Sequence, residues 1–150
     1  MSEAANSPAA AAATPPDSAD SADSADSAGS AGSADWISGG EALHFQRCPG
    51  CHHVWYFRRD FCPACGNHAP LTLQSSGRGT VHASTLVHRA PSEAFRALAP
   101  YRIVLVDLVE GLRVMAHGDP ALAIGDAVRF GVRALAGRAL PYFSKDDQAG

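Results

Sequence analysis

Two Cys-x-x-Cys pairs stand ten residues apart in this chain, as Cys48-Pro49-Gly50-Cys51 and Cys62-Pro63-Ala64-Cys65. Nothing else in the sequence restricts the fold as strongly. Two intervening residues let both sulfurs of a pair point at one ion, and the tight turn brings backbone N–H groups to the sulfurs, which spreads the thiolate charge. Gly66, directly after the second pair, can take the left-handed conformation such a turn requires. His52 fills the same place after the first pair and tolerates positive φ better than bulky residues do. Two knuckles at this separation predict a zinc ribbon with Cys48, Cys51, Cys62 and Cys65 as ligands. Four protein sulfurs complete a tetrahedral shell and leave no position for a catalytic water, so one structural zinc per chain is expected. A single iron is the alternative for four thiolates. His52, His53 and His68 flank the motif as surface or supporting residues.

A metal staple suits the length. The first 35 of 150 residues hold almost no large apolar side chain, and the first tryptophan is Trp36. From Asp17 the chain repeats Asp-Ser-Ala through Asp20, Asp23 and Asp26. Such composition cannot bury enough surface to offset the entropy of ordering, so residues 1–35 are expected to be disordered. The short remainder buries a modest core, the situation in which a metal helps most. Six acids and no base in the first 35 residues give −6, which leaves +3 of the chain's −3 on the rest. Eleven of the twelve basic residues are Arg, suited to bidentate binding of phosphate and carboxylate. A surplus of three falls short of the footprint of a dedicated nucleic-acid binder. No stretch has the roughly 18 apolar residues of a membrane span. The N-terminus lacks the basic and apolar regions of a secretory signal, so a cytoplasmic, reducing compartment is expected.

Between the knuckles, His53-Val54-Trp55-Tyr56-Phe57-Arg58-Arg59-Asp60-Phe61 is rich in aromatic and β-branched residues and predicts a small hairpin. Beyond the ribbon, Thr80–His88, Tyr101–Leu108, Leu112–His117, Ala127–Arg133 and a short segment holding Leu140, Tyr142 and Phe143 read as strands. Turn signals separate them, with a helical turn around Phe95 and Leu98. Val128, Phe130 and Val132 alternate with Arg129, Gly131 and Arg133, an apolar face against a basic one. Five short strands are most economically closed as an OB-type barrel, since closure removes sheet edges; an open sandwich is the alternative. The fold class is therefore mainly β. A tail over residues 1–35 precedes a rubredoxin-like zinc ribbon over 36–70 and a five-stranded barrel over 71–145, and residues 146–150 trail off.

Several segments together carry a resemblance. They are Phe45-Gln46-Arg47-Cys48, Phe61–Gly66, Ser76–Val81, Val87-His88-Arg89, Ala99-Pro100-Tyr101 and Ile124-Gly125-Asp126. Over roughly residues 36 to 145 the chain resembles the family that joins a rubredoxin-like zinc ribbon to a C-terminal OB-fold, formerly a domain of unknown function found beside thiolases and other acyl-CoA enzymes. The resemblance implies a non-catalytic accessory subunit whose partner is a thiolase-like enzyme or a hotdog-fold enoyl-CoA hydratase. It also implies that the OB face accommodates the CoA moiety of an acyl-CoA thioester. Family members usually open with a longer helical segment. Here only Trp36–Leu43 precedes the ribbon, and Gly39-Gly40 weakens a helix there.

No catalytic set is evident: there is no nucleophile elbow, phosphate loop with Lys or His-Glu-x-x-His helix. His82 and His88 are spaced to share one face of an undistorted strand, and Asp107 or Glu110 could pair with a histidine, but polar residues on the wet side of a barrel explain them as well. Candidate ligand contacts are Arg58 and Arg59, beside Trp55 and Tyr56, and Arg89; Arg and aromatic side chains can pair with the phosphates of CoA and stack on its adenine. A single-strand nucleic-acid binder is the competing function, because ribbons and OB barrels both serve it.

Overall fold

The computed structural model describes residues 34–147. The tail expected to be disordered lies outside the described residues, apart from Ala34 and Asp35. Strands β1 (His44–Arg47), β2 (Val54–Trp55) and β3 (Leu71–Gln74) form an antiparallel sheet in the order β2-β1-β3. The hairpin expected within 53–61 is not formed. Only Val54 and Trp55 are extended there, and they pair back to Arg47 and Gln46, so the first knuckle is itself the hairpin turn. Gln46 explains the change. Its buried Oε1 accepts from the Trp55 indole N–H at 2.9 Å and the Arg59 backbone N–H at 2.6 Å, which ties the segment after the knuckle across β1. The third strand of the ribbon sheet comes from Leu71–Gln74, a stretch expected to open the barrel.

The remaining strands are β4 (Arg78–Val87), β5 (Tyr101–Leu108), β6 (Arg113–Gly118), β7 (Ala127–Leu135) and β8 (Arg138–Lys145). They close into a barrel in the order β4-β5-β6-β8-β7, with β6 and β8 parallel, and the sandwich alternative is set aside. The chain is thus mainly β, as expected. A short helix, α1 (Glu93–Arg96), sits in the β4–β5 connection where the helical turn was read. β7 and β8 run longer than expected and join through Ala136 and Gly137, both at positive φ (49° and 75°), as a two-residue turn of primed type requires.

Alternation builds the core. Val104, Val106 and Leu108 of β5 and Val114 and Ala116 of β6 point inward against Val81, Val128 and Phe143. Leu43 and Phe45 enter the same cluster, with Trp36, Val54, Tyr56 and Leu73 packed on it. The ribbon's inner face is therefore part of the barrel's core. Trp36, in a single 3-10 turn (Trp36–Ser38) capped by Asp35, donates its indole N–H to the Tyr56 hydroxyl at 2.7 Å. Burial pushes the Tyr56 hydroxyl above its ordinary pKa.

A first expected outcome concerns Gln46. Gln46→Leu keeps most of the volume but leaves the buried Trp55 indole N–H and the half-buried Arg59 N–H without their acceptor, and a buried loss of this kind costs ~1–3 kcal/mol. Urea unfolding followed by tryptophan fluorescence should show a loss in that range, with metal content unchanged. A loss under half a kcal/mol contradicts the role given to Gln46.

Candidate metal centre and ligand face

The four cysteine sulfurs converge. All lie within 4.8 Å of one another, with Cys48–Cys65 at 3.5 Å and Cys51–Cys62 at 3.6 Å. A tetrahedral ion with bonds of ~2.3 Å sets its sulfurs ~3.8 Å apart, so the cluster fits one ion without rearrangement. The two knuckles are built alike. The N–H of His52 donates to Cys48 O at 3.0 Å, and that of Gly66 to Cys62 O at 2.9 Å. His52 and Gly66 both adopt positive φ, at 60° and 74°, as their places after the knuckles predicted. Backbone N–H groups also reach the sulfurs, from Cys51 to Cys48 at 3.5 Å and from Ala64 to Cys62 at 3.4 Å. Cys48 and Cys62 are buried, whereas Cys51 and Cys65 are exposed.

Cys48 and Cys65 are treated differently by their surroundings. The Cys51 backbone N–H, more than any other cause, draws the Cys48 thiol down to about 7. The Asn67 backbone N–H favours a thiolate at Cys65, but the sulfurs of Cys51 and Cys48 beside it push that thiol up to about 12. A positive ion placed among the sulfurs would relieve that repulsion.

The named arginines do not converge. Arg59 helps wall a hollow of about 480 Å³ between ribbon and barrel, with Trp55, Tyr56, Phe57, Leu105, Arg113 and Met115. Arg58 points to the other side of Tyr56 and borders a second hollow of about 370 Å³ with Asp35, Ile37, His44 and Phe45. Arg89 is exposed in the β4–β5 connection and lines neither hollow. In the second hollow Asp35 Oδ2 lies 3.4 Å from His44 Nδ1, an ion-pair separation without hydrogen-bond geometry.

The larger hollow has an apolar floor that is unusually open: Phe57 is 65% and Met115 66% exposed. Its two guanidiniums differ. Arg113 is locked to Asp107 by two contacts of 2.6 and 3.0 Å and reaches His82 Nδ1 at 3.0 Å. That hydrogen bond from Arg113 is the main cause holding the Asp107 carboxyl below the usual carboxylate range. No side-chain hydrogen bond or ion pair engages Arg59 among the described residues, and its side chain borders the hollow.

Of the four polar residues weighed for chemistry, His82 and Asp107 do meet, with Asp107 Oδ2 3.0 Å from His82 Nδ1. Arg113 binds both, and a β-bulge between Val81 and Ala83 carries His82 out of the regular alternation. His88 falls just beyond β4, and Glu110 instead accepts from the Ser76 backbone N–H. Sequence reasoning missed the aromatic cluster of Phe95, Tyr101 and His117, which only the β5–β6 register and α1 bring together.

Comparison with known proteins agrees with this architecture. The family profile described as ChsH2, C-terminal OB-fold domain, matches residues 73–133. The solved structure "Ltp2-ChsH2(DUF35) aldolase" superposes with a TM-score of 0.58 at 30% identity, covering 69% of this chain and 84% of that one. The chain belongs to the DUF35 family. A DUF35 domain-containing scaffold protein of Methanothermobacter thermautotrophicus is 34% identical, over 55% of this chain and 65% of that protein. A probable enoyl-CoA hydratase alpha subunit of Thermomonospora curvata is 33% identical over 50% of this DUF35 chain, but only 23% of that subunit. The match thus spans less than two thirds of these curated relatives. No helix among the described residues is long and apolar enough to cross a membrane.

Proposed function

We propose that this protein is a non-catalytic, acyl-CoA-binding accessory subunit of an acyl-CoA-processing complex, with a thiolase-like or hotdog-fold hydratase-like enzyme as partner. The observation that carries this reading is the hollow between ribbon and barrel. An apolar floor of Phe57, Leu105 and Met115 takes a carbon chain, and the unpaired donors of Arg59 take an oxygen of the thioester or its pantetheine arm. The relatives, a scaffold protein and a probable hydratase subunit, fit the same role. Of the three candidate arginines, Arg59 is the one given this contact.

Cys48, Cys51, Cys62 and Cys65 would hold one structural zinc, with iron as the other metal the four-sulfur set accepts. Bound there, the ion fixes the two knuckles and hence β1 and β2, which carry Phe45 and Trp55 into their packing. A thiolate metal site suits a reducing compartment, and the cytoplasm is the location that goes with this reading.

Trp55 lines the hollow, so its fluorescence reports occupancy. Titration of the metal-loaded chain with acetyl-CoA and longer acyl-CoA should give a saturable change. Arg59→Met should weaken binding about tenfold, the loss of one charge-assisted hydrogen bond, with an unchanged melting temperature. Equal affinity of variant and wild type removes Arg59 from the role. Absence of any saturable change, together with no co-elution of an acyl-CoA enzyme from the native host, removes the function.

A further inference from the structure

The hairpin of β7 and β8 outruns the barrel. β4 pairs with β7 only through Ala127, Val128 and Arg129, and β6 meets β8 only at Tyr142 and Phe143, whereas β7 and β8 stay paired as far as Leu135 and Arg138. The segments 131–135 and 138–141 therefore form a two-stranded arm. The N–H of Phe130 donates to Gly77 O at 2.7 Å, on the β4 side, while Ala127 O accepts from the Asp146 N–H at 2.9 Å, on the β8 side. Successive residues of an antiparallel strand alternate in this respect, so Val132 and Ala134 point their N–H and C=O groups away from β8. Continued pairing with β4 would have set Ser75 against Val132. Gly77, at a φ of 72°, turns the chain off instead, and Ser75 donates its N–H to Leu43 O. No hydrogen bond engages the backbone of Val132 or Ala134 among the described residues. The other edge of the arm differs: Ala139 and Pro141 face outward from β8, and Pro141 has no N–H to offer, a device by which sheet edges avoid pairing.

We infer that the free edge of β7, from Gly131 to Leu135, is a strand-addition site for an extended acidic segment of another protein. Charge selects that occupant. From Ala127 to Lys145 the chain holds Arg129, Arg133, Arg138 and Lys145 and no acid. Lys145 has Asp126 at 3.8 Å, but no ion pair engages Arg133 or Arg138 among the described residues. In an added antiparallel strand, the residues opposite Val132 and Ala134 exchange both backbone hydrogen bonds, which supply affinity, and the side chains between them supply specificity. The residue opposite Arg133 stands in a non-hydrogen-bonded pair, with Cα atoms ~4.5 Å apart, where Asp or Glu meets an opposite charge. The residue opposite Gly131 finds open space, since a Cβ built there meets nothing within 4 Å, and a large apolar side chain fills it. Leu135 takes a second apolar side chain. The pattern recognised is thus an acid with an apolar residue two places to either side. A second copy fits worse, because the register that uses both Val132 and Ala134 sets Arg133 against Arg133. The chain's own Asp17–Asp26 repeat also fits worse: acids three apart fall on alternate faces of a strand, and no large apolar residue accompanies them. No residue of this edge lines either hollow, so the inference stands apart from the acyl-CoA reading.

The test uses the full metal-loaded chain and a capped peptide, Thr-Val-Thr-Glu-Thr-Leu-Thr, followed by amide NMR. The signals of Val132 and Ala134 should shift saturably. A peptide with Lys in place of Glu should bind about tenfold more weakly, and N-methylation of the two Thr beside Glu should abolish binding. Arg133→Glu should reverse the preference between the Glu and Lys peptides. Ala134→Pro, whose lost N–H faces away from β8, should abolish binding and leave the melting temperature nearly unchanged. Absence of a saturable shift at about 2 mM peptide overturns the site. Equal binding of the Glu and Lys peptides overturns its acidic specificity, and undiminished binding of the N-methylated peptide overturns the strand pairing. A concentration-dependent dimer that Ala134→Pro abolishes overturns the inference in favour of a second copy, and peptide binding that tightens tenfold when residues 1–33 are removed overturns it in favour of the chain's own acidic repeat.

Discussion

Cys62→Ser is expected to release the metal and unfold the ribbon. Cys62 is 1% exposed, its sulfur lies 3.6 Å from that of Cys51, and it accepts the Ala64 N–H. Serine offers a poor ligand to a soft four-sulfur site, so the ion loses a quarter of its shell and its geometry. Zinc binding in ribbon-sized sites contributes on the order of 10–16 kcal/mol that appears as folding free energy. The knuckles themselves have little apolar burial to replace it, because the buried cluster there holds only Cys48, Trp55 and Cys62 among the described residues. Metal analysis should find one zinc in the wild type and under a tenth of that in the variant. Cobalt substitution should show the thiolate charge-transfer band only in the wild type. One iron per wild-type chain would correct the metal but not the ligand set. A variant that keeps its metal and its tryptophan spectrum would refute the centre itself.

The knuckles could be read from sequence because ligand spacing is local chemistry. A turn that aims two thiolates at one ion needs a positive-φ residue just beyond it, and His52 and Gly66 stand there. The barrel strands could be read because burial imposes a period of two on β5 and β6. What escaped was non-local or atypical. β3 pairs with β1 across the whole cysteine loop, and a four-residue strand with three exposed residues leaves little pattern. The β7–β8 turn uses Ala136-Gly137, whereas the usual signal for such a turn is Asn-Gly or Asp-Gly. The inter-knuckle aromatics suggested a hairpin, yet they divide: Trp55 is buried on Gln46, while Phe57 faces the hollow. Arg58 and Arg59 read as one patch, but adjacent side chains diverge, and Tyr56 separates their hollows. The spacing of His82 and His88 assumed a regular strand, which the bulge after Val81 breaks.

Phe143→Ala is expected to cost ~3–5 kcal/mol, the range for deleting a fully buried aromatic side chain. Phe143 is 0% exposed, meets the Phe130 ring edge-on at 5.6 Å and lies where β8 joins both β6 and β7. A domain of this size holds about 5–15 kcal/mol in all, so the variant approaches the limit of folding. Phe143→Leu, which keeps most of the volume, should cost far less. The location of the tryptophans makes the experiment more informative. Both of them, Trp36 and Trp55, precede the barrel, so fluorescence follows the ribbon while far-ultraviolet circular dichroism is dominated by the barrel strands. If Leu43 and Phe45 weld the two parts into one core, the barrel mutation must lower the fluorescence midpoint as much as the dichroism midpoint. A fluorescence transition that stays in place while the barrel melts early would mean that the metal alone holds the ribbon, and that the shared core contributes little to it.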